Sequence, residues 1–398
     1  MKIAVLFDNF GPYHDARLNG AASAVEVVGV QAAAKSREYD WETEVEAKFR
    51  RVTLYPDDTS RRTDCRQRMS TSLGDARPDV VAIPGWSDQA AFAALQWCSD
   101  TGTPAIVMSE STADDEQRVL WREKIKRRVV ALYSTALVGG ERHVDYLVQL
   151  GMPRERIFQG YDAVDNDYFA REAKKVESRK AEVEREYGLP ENYFLASARF
   201  VEKKNLPALI RAYAAYRERL SPVTSHSSPW SLVLLGDGPL RESLNAQLSA
   251  LNLHSNVHLP GFKQYDELSV YYGLANAFVH ASTTEQWGLV VNEAMASSLP
   301  VIVSNRCGCV PELVHEGVNG YTFDPYNEEQ ITDSLLKLAS MSDDERAAFG
   351  QASSQIVAEY DVDEFAEGLK LAAELAISLP RKRAGAFDRT LLWALMRK

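Results

Sequence analysis

The chain has 398 residues, of which 45% are hydrophobic and 25% charged, and a formal net charge of -11. A chain this long and this apolar buries a large core and divides into more than one domain. Its acidic balance argues against a broad nucleic-acid surface, which carries a basic footprint, but leaves room for a small anionic ligand held by a few local cations.

The first element is an apolar run at residues 2–7 that reads as a strand buried on both faces. Asp8 ends it too soon for an export signal, and no later stretch reaches the roughly 20 apolar residues needed to span a bilayer, so the expected location is the cytoplasm. Similar runs follow at 79–84, 104–109 and 135–140, with helical spacing between them at 86–100 and 114–131. Strand–helix alternation of this kind predicts a parallel sheet with covering helices. From about 170 to 190 the pattern gives way to a densely charged run, read as an exposed helix. It resumes with strand-like runs at 193–199, 231–238, 256–261, 277–282 and 300–304. The expected fold class is therefore α/β with two Rossmann-like parallel-sheet domains, a ligand lying at the carboxyl ends of the strands.

Four cysteines, at 65, 98, 307 and 309, are too few for a disulfide scaffold and point to a reducing compartment. Cys307 and Cys309 read as small residues lining a turn, because a structural zinc site wants four well-spaced ligands. No metal is expected.

Two carboxylates bracket the apolar stretch 284–296. A strand at 277–282, a loop, and a helix starting near Gly288 would place Glu285 at a strand's carboxyl end and Glu293 about one turn into the helix. The amides of Gly288, Leu289 and Val290 would point out of the helix start as an anion site. Glycine at 288 would let a ligand approach the backbone. Upstream, Arg199 follows the first strand of the second set and Lys204 stands before the next helix, two cations able to neutralise a diphosphate. Each residue alone reads more simply: Glu293 as an exposed helix residue, Glu285 as a helix-capping acid, the cations as solvated. Together they suit a sugar nucleotide, with Glu293 on the ribose and Glu285 on the sugar.

These residues resemble the family-4 retaining glycosyltransferases, whose architecture is GT-B, two Rossmann domains facing across a cleft. The match rests on Arg199 and Lys204 as R-x(4)-K, the G-D-G-P turn at 236–239, P-G-F at 260–262, Glu285 and Glu293 as E-x(7)-E, G-x-x-P-E at 308–312, and the segment 319–325. It covers roughly residues 193–326. The resemblance implies that Arg199, Lys204 and Glu285 are catalytic, with Glu285 either nucleophile or sugar-orienting group. Donor contacts would come from Glu293, Gly288, Leu289, Val290 and the loop Gly261, Phe262, Lys263. The donor would be a UDP- or GDP-sugar, with no other cofactor and no metal, and the acceptor a hydroxyl of a glycan, a lipid-linked glycan or a small molecule. The expected domains are 1–170 for the acceptor, 171–380 for the donor, and a tail 381–398 whose helix crosses back to the first domain.

The first half departs from the family. Its Gly-Gly loop after the first strand has Gly20 as the nearest equivalent, and where a histidine is usual the chain reads Ser109 and Glu110, which are expected to take over sugar or acceptor contact. His14 follows the first strand and either faces the acceptor or is a hydrogen-bonded loop residue. The other histidines, His280 included, show no ligand spacing. Two stretches suit peripheral contact with an anionic membrane: residues 119–130, which combine apolar side chains with Lys124, Lys126, Arg127 and Arg128, and the tail 387–398, which is apolar with a basic end. A helix packed on the first sheet is the simpler reading of the first stretch, and a helix crossing back to the first domain that of the second. Competing functions are a sugar-nucleotide epimerase, a phosphorylase, and a non-catalytic sugar-nucleotide-binding subunit. A dehydrogenase does not fit, since no G-x-G-x-x-G follows the first strand.

Overall fold

Alternate side chains of the first strand serve two different cores. In the computed structural model, which describes residues 1–34, 46–56, 64–220 and 228–397, Ile3, Val5 and Phe7 enter one buried cluster while Ala4 and Leu6 enter another. That is the signature of a strand covered on both faces, and it explains why the segment is a continuous apolar run.

This strand, β1 (Lys2–Phe7), begins a unit made of Met1–Asp165 and Tyr360–Lys398. It is followed by α1 (Pro12–Ala21), β2 (Glu26–Ala33), β3 (Arg50–Tyr55), α2 (Cys65–Ala76), β4 (Val80–Pro84), α3 (Gln89–Thr101), β5 (Ala105–Ser109), α4 (Leu120–Val130), β6 (Thr135–Val138), α5 (Glu141–Gln149) and β7 (Ile157–Phe158). The strands form one parallel sheet in the order β3-β2-β1-β4-β5-β6-β7. α3 is capped by Asp88, whose carboxylate accepts from the Ala91 amide at 2.9 Å. The helix expected over 114–131 begins only at Leu120. Arg118 holds the preceding segment in a turn instead, donating to the Ala113 carbonyl at 3.0 Å and to Glu116 at 2.9 Å.

The second unit is Asn166–Glu359. The charged run becomes two helices, α6 (Asn166–Glu177) and α7 (Lys180–Tyr187), rather than one. Then come β8 (Tyr193–Ser197), α8 (Leu206–Arg219), β9 (Ser231–Leu235), α9 (Arg241–Ala250), β10 (Val257–Gly261), α10 (Tyr265–Leu274), β11 (Ala277–His280), α11 (Leu289–Ala296), β12 (Val301–Ser304), α12 (Val310–Leu313), β13 (Gly320–Phe323), α13 (Glu328–Ala339) and α14 (Asp343–Val357). Its sheet is also parallel, in the order β10-β9-β8-β11-β12-β13. Strand order reverses between β8 and β11, which pair through Phe194–Ala277 and Leu195–Phe278. The crevice beyond the carboxyl ends of two such strands is where open α/β sheets place ligands.

At Tyr360 the chain returns to the first unit, ahead of the expected boundary at 380. It forms α15 (Val362–Ser378) and α16 (Ala386–Leu395). Phe365, Leu369, Ala372 and Ala376 of α15 share a buried cluster with Ile3, Val5 and Leu18, so this helix covers one face of the first sheet. Leu392 and Met396 join the cluster on the other face. Lys382 donates to the Ala131 carbonyl at 2.8 Å and tethers the segment between the two helices.

Four strands were not among the sequence expectations: β2, β3, β7 and β13. β2 carries Gly29 and Gln31, and β3 opens on two arginines, so neither is an uninterrupted apolar run. β7 has two residues, and β13 is polar at its centre.

Candidate functional site

The loops after β8 and β11 bring Lys204 and Glu285 into a direct ion pair. The backbone fixes this meeting, because the Thr283 amide donates to the Lys203 carbonyl at 2.8 Å. Glu285 is in turn held from below. Ser282 Oγ donates to its Oε2 at 3.3 Å, and His280 Nε2 lies 3.4 Å from the same oxygen. Its backbone bridges Cys307, with the Gly308 amide donating to the Glu285 carbonyl at 3.0 Å.

Burial alone would raise the Glu285 carboxyl, but the His280 hydrogen bond and the Lys204 charge outweigh it and hold the group well below the usual carboxylate range. Burial lowers His280, with the Lys204 charge adding to that against the pull of Glu285. The site therefore presents an ionised carboxylate held between Lys204 and the His280 imidazole.

α11 starts beside Glu285. Gly288 is its N-cap with φ 112°, a left-handed conformation that disfavours any side chain. A Cβ there would come within 3.5 Å of Glu285 Cγ and 3.7 Å of Cys309 Sγ, which is ordinary contact. Glycine is thus required by the backbone rather than by crowding. Gly288, Leu289 and Val290 are half-buried, so the helix start reaches solvent. Trp287 beneath it is buried, its indole N–H donating to Asn292 Oδ1 at 2.9 Å, which fixes the entry to the helix.

Glu293 is fully buried on α11, so the alternative of an exposed helix residue is excluded. Beside it is Tyr272 of α10, whose phenol is driven up first by burial and then by the Glu293 charge.

Arg199 is half-buried in the loop that carries Lys204. That loop lies on the G-D-G-P turn. A Cβ on Gly236, at φ 128°, would sit 2.0 Å from the Ala198 carbonyl, and one on Gly238 would sit 2.8 Å from the Phe200 carbonyl. The Phe200 amide donates to the Asp237 carbonyl at 2.8 Å, and Gly236 donates to the Gly261 carbonyl at 2.9 Å. The glycines therefore let two loops stack backbone on backbone and carry Gly261 and Phe262 alongside them. Lys263 pairs with Glu267 at 3.1 Å.

In the first unit the expected residues fare differently. Gly20 lies near the C-terminal end of α1, not in the loop after β1. A Cβ there would come 3.1 Å from the Val362 carbonyl, so this glycine lets α1 approach α15. The glycine that ends the β1 loop is Gly11, the N-cap of α1. His14 serves that cap: its Nδ1 accepts from the Gly11 amide at 3.2 Å, and its ring lies 4.3 Å from that of Phe7. Burial, with the Arg17 charge, lowers its pKa to about 3.

Ser109 ends β5, buried, and accepts from the Ser111 amide at 3.2 Å. Glu110 next to it belongs to a cluster missed in the sequence. Asp162 is fully buried and driven up by that burial and by the Glu110 carboxylate, against the pull of Arg17. Arg17 is equally buried, donating to the Ala163 carbonyl at 2.9 Å and lying over the Tyr161 ring at 5.1 Å. His280 and Ser282 were missed as well; their signal was their position at the end of a strand just before Glu285. Cys307 and Cys309 are buried in the turn under α11, and they form no disulfide.

Residues 179–356 match the model of the family described as glycosyl transferases group 1. Over 132 residues the chain is 33% identical to the sulfoquinovosyl transferase of Arabidopsis thaliana, covering 33% of this chain and 25% of that protein. Over 135 residues it is 32% identical to the alpha-monoglucosyldiacylglycerol synthase of Acholeplasma laidlawii, covering 34% of this chain and 31% of that one. The chain thus spans between a quarter and a third of the length of these curated relatives. The crystal structure of HepE from Anabaena in complex with UDP aligns with a TM-score of 0.73 at 17% identity, over 95% of this chain and 100% of that one. The chain accordingly has the GT-B architecture of two Rossmann-like parallel-sheet domains.

Proposed function

We propose that this chain is a retaining glycosyltransferase that passes a sugar from a UDP- or GDP-sugar to a hydroxyl acceptor without the help of a metal ion. The observation that carries the proposal is the Lys204–Glu285 ion pair at the strand-order reversal of the second sheet, beside the solvent-reaching start of α11. The family match over the same residues supports it.

In this mechanism the diphosphate is held by Arg199 and Lys204 and by the amides of Gly288, Leu289 and Val290, with the ribose on Glu293 and the base beside Gly261, Phe262 and Lys263. The bond from the anomeric carbon to the phosphate oxygen breaks as the acceptor oxygen bonds to the same face. The acceptor proton passes to the departing phosphate. The two cations stabilise charge that grows as that bond lengthens, which is the term expected to lower the barrier most. Glu285, ionised and fixed by Lys204, His280 and Ser282, orients the sugar hydroxyls. Ser109, Glu110 and His14 are proposed to lie toward the acceptor. One relative is named for a diacylglycerol product, which supports a lipid-linked acceptor reached through membrane contact at residues 119–130.

The test is incubation of the purified chain with a panel of UDP- and GDP-sugars and candidate acceptors, read by nucleotide release and by the anomeric proton of the product. The proposal expects release with a matching donor, the donor's anomeric configuration in the product, and activity that survives a chelator. Glu285→Ala and Lys204→Ala should each lower turnover by about a hundredfold, the scale of losing one preorganised charge. Wild-type turnover in both variants contradicts the assigned roles.

A further inference from the structure

Among the large apolar side chains exposed on the surface, four lie on two adjacent helices of the first unit. On α4, Leu120 is 85% and Trp121 52% exposed; on α16, Phe387 is 64% and Trp393 45% exposed. The exposed positions follow helical spacing. On α4 they include 120, 121, 124, 127 and 128, opposite the buried Val129 and Val130. On α16 they include 387, 390, 393, 394 and 397, opposite the buried Leu392 and Met396. The two faces are joined, because Arg128 pairs with Asp388 at 2.7 Å and its guanidinium lies 4.6 Å from the Phe387 ring centroid.

The charge on this surface is opposite to that of the chain. The chain as a whole carries -11, yet Arg122, Lys124 and Arg127 of α4 and Arg397 beyond α16 are exposed with no carboxylate recorded in ion-pair distance among the described residues. Arg397 lies 3.8 Å from the Trp393 ring centroid and Arg122 lies 5.5 Å from that of Trp121. Aromatic and aliphatic side chains interleaved with unpaired cations on a helix lying flat suit the interface of an anionic bilayer, where rings enter the headgroup layer and cations meet lipid phosphates.

We propose that α4 and α16 together form one membrane-docking surface for anionic lipid, with Trp121, Leu120, Phe387 and Trp393 inserting and Lys124, Arg127 and Arg397 facing the headgroups. This deepens the contact assigned above to residues 119–130 and rests on that part of the proposed function. It adds that the C-terminal helix is half of the surface.

The test is co-sedimentation of the full chain with vesicles of phosphatidylcholine alone or mixed equally with phosphatidylglycerol, at low and high salt. Three variants are compared: Leu120→Gln with Trp121→Gln, Phe387→Gln with Trp393→Gln, and Lys124→Glu with Arg127→Glu. All change exposed side chains, and circular dichroism verifies their fold. The inference expects binding to the anionic vesicles, weakening at high salt, and a loss of tenfold or more in each variant. Absence of binding by the folded wild-type chain overturns it. Wild-type binding by the Phe387/Trp393 variant overturns the share given to α16. Self-association lost in the same variants, with no vesicle binding, identifies a protein interface instead and also overturns it. UDP and GDP binding in lipid-free solution separates the two readings. It persists if only the membrane inference fails, and it is absent if the glycosyltransferase reading fails.

Discussion

Lys204 and Glu285 approach from the two strands at which the second sheet reverses its order, and each side chain is nearly buried, at 14% and 13% exposure. A pair this enclosed should be strongly coupled. Lys204→Met leaves a carboxylate without its cation and is expected to lower stability by about 3 kcal/mol, while adding Glu285→Gln should recover part of that loss. Urea unfolding of the four proteins gives the cycle, with an expected coupling on the order of 1–3 kcal/mol. Additive effects would mean the pair contributes nothing jointly.

Two glycines around the same loops should fail for different reasons. Gly236→Ala drives a Cβ into the Ala198 carbonyl, so the loop carrying Arg199 must move, at about 3 kcal/mol. Gly288→Ala meets only ordinary contacts; its expected cost is the left-handed backbone alone, about 1–2 kcal/mol. Thermal unfolding should rank them in that order. The reverse order would indicate crowding at Gly288.

The chemistry of the second unit was readable because its residues are close along the chain. A strand, a loop and a helix start place Glu285, Gly288 and Glu293 within one short stretch, and the β8 loop places Arg199 and Lys204 in another. What supports them was harder to see. His280 was set aside because a histidine at a strand end has no spacing signal, and its role depends on the loop folding back over it. Gly20 was misplaced because a glycine inside a helix and one in a loop look alike until the neighbouring α15 is known. Arg17, Glu110 and Asp162 come from three distant parts of the chain, so only the sheet brings them together.

His14 should leave a mark on acid stability. Its folded pKa of about 3 lies below its ordinary value near 6.5, so below pH 6.5 the unfolded chain takes up a proton that the folded chain refuses. Its contribution is complete above pH 6.5 and is lost as pH falls toward 3. The upper part of that window lies above the range where carboxylates titrate. His14→Gln should therefore reduce the change in urea midpoint between pH 7 and pH 5. An unchanged difference would show that His14 is protonated in the folded chain.

The buried cluster of the first unit predicts an asymmetry between its members. Burial and Glu110 favour the protonated form of Asp162, so Asp162→Asn replaces one neutral group with another and should change stability by less than about 1 kcal/mol. Arg17→Met removes the buried cation beside Asp162 together with its hydrogen bond to the Ala163 carbonyl and should cost about 3 kcal/mol or more. Denaturant midpoints decide this; equal losses would mean that Asp162 is held as an anion by Arg17.

Titration calorimetry of UDP and GDP against the full chain tests the central claim most directly, because it needs no knowledge of sugar or acceptor. The second unit should bind one of the two nucleotides with a Kd below about 1 mM, and Lys204→Ala and Arg199→Ala should each weaken it at least tenfold, about 1.4 kcal/mol. Failure of both nucleotides to bind, or unchanged affinity in both folded variants, would contradict a diphosphate site at the β8–β11 reversal.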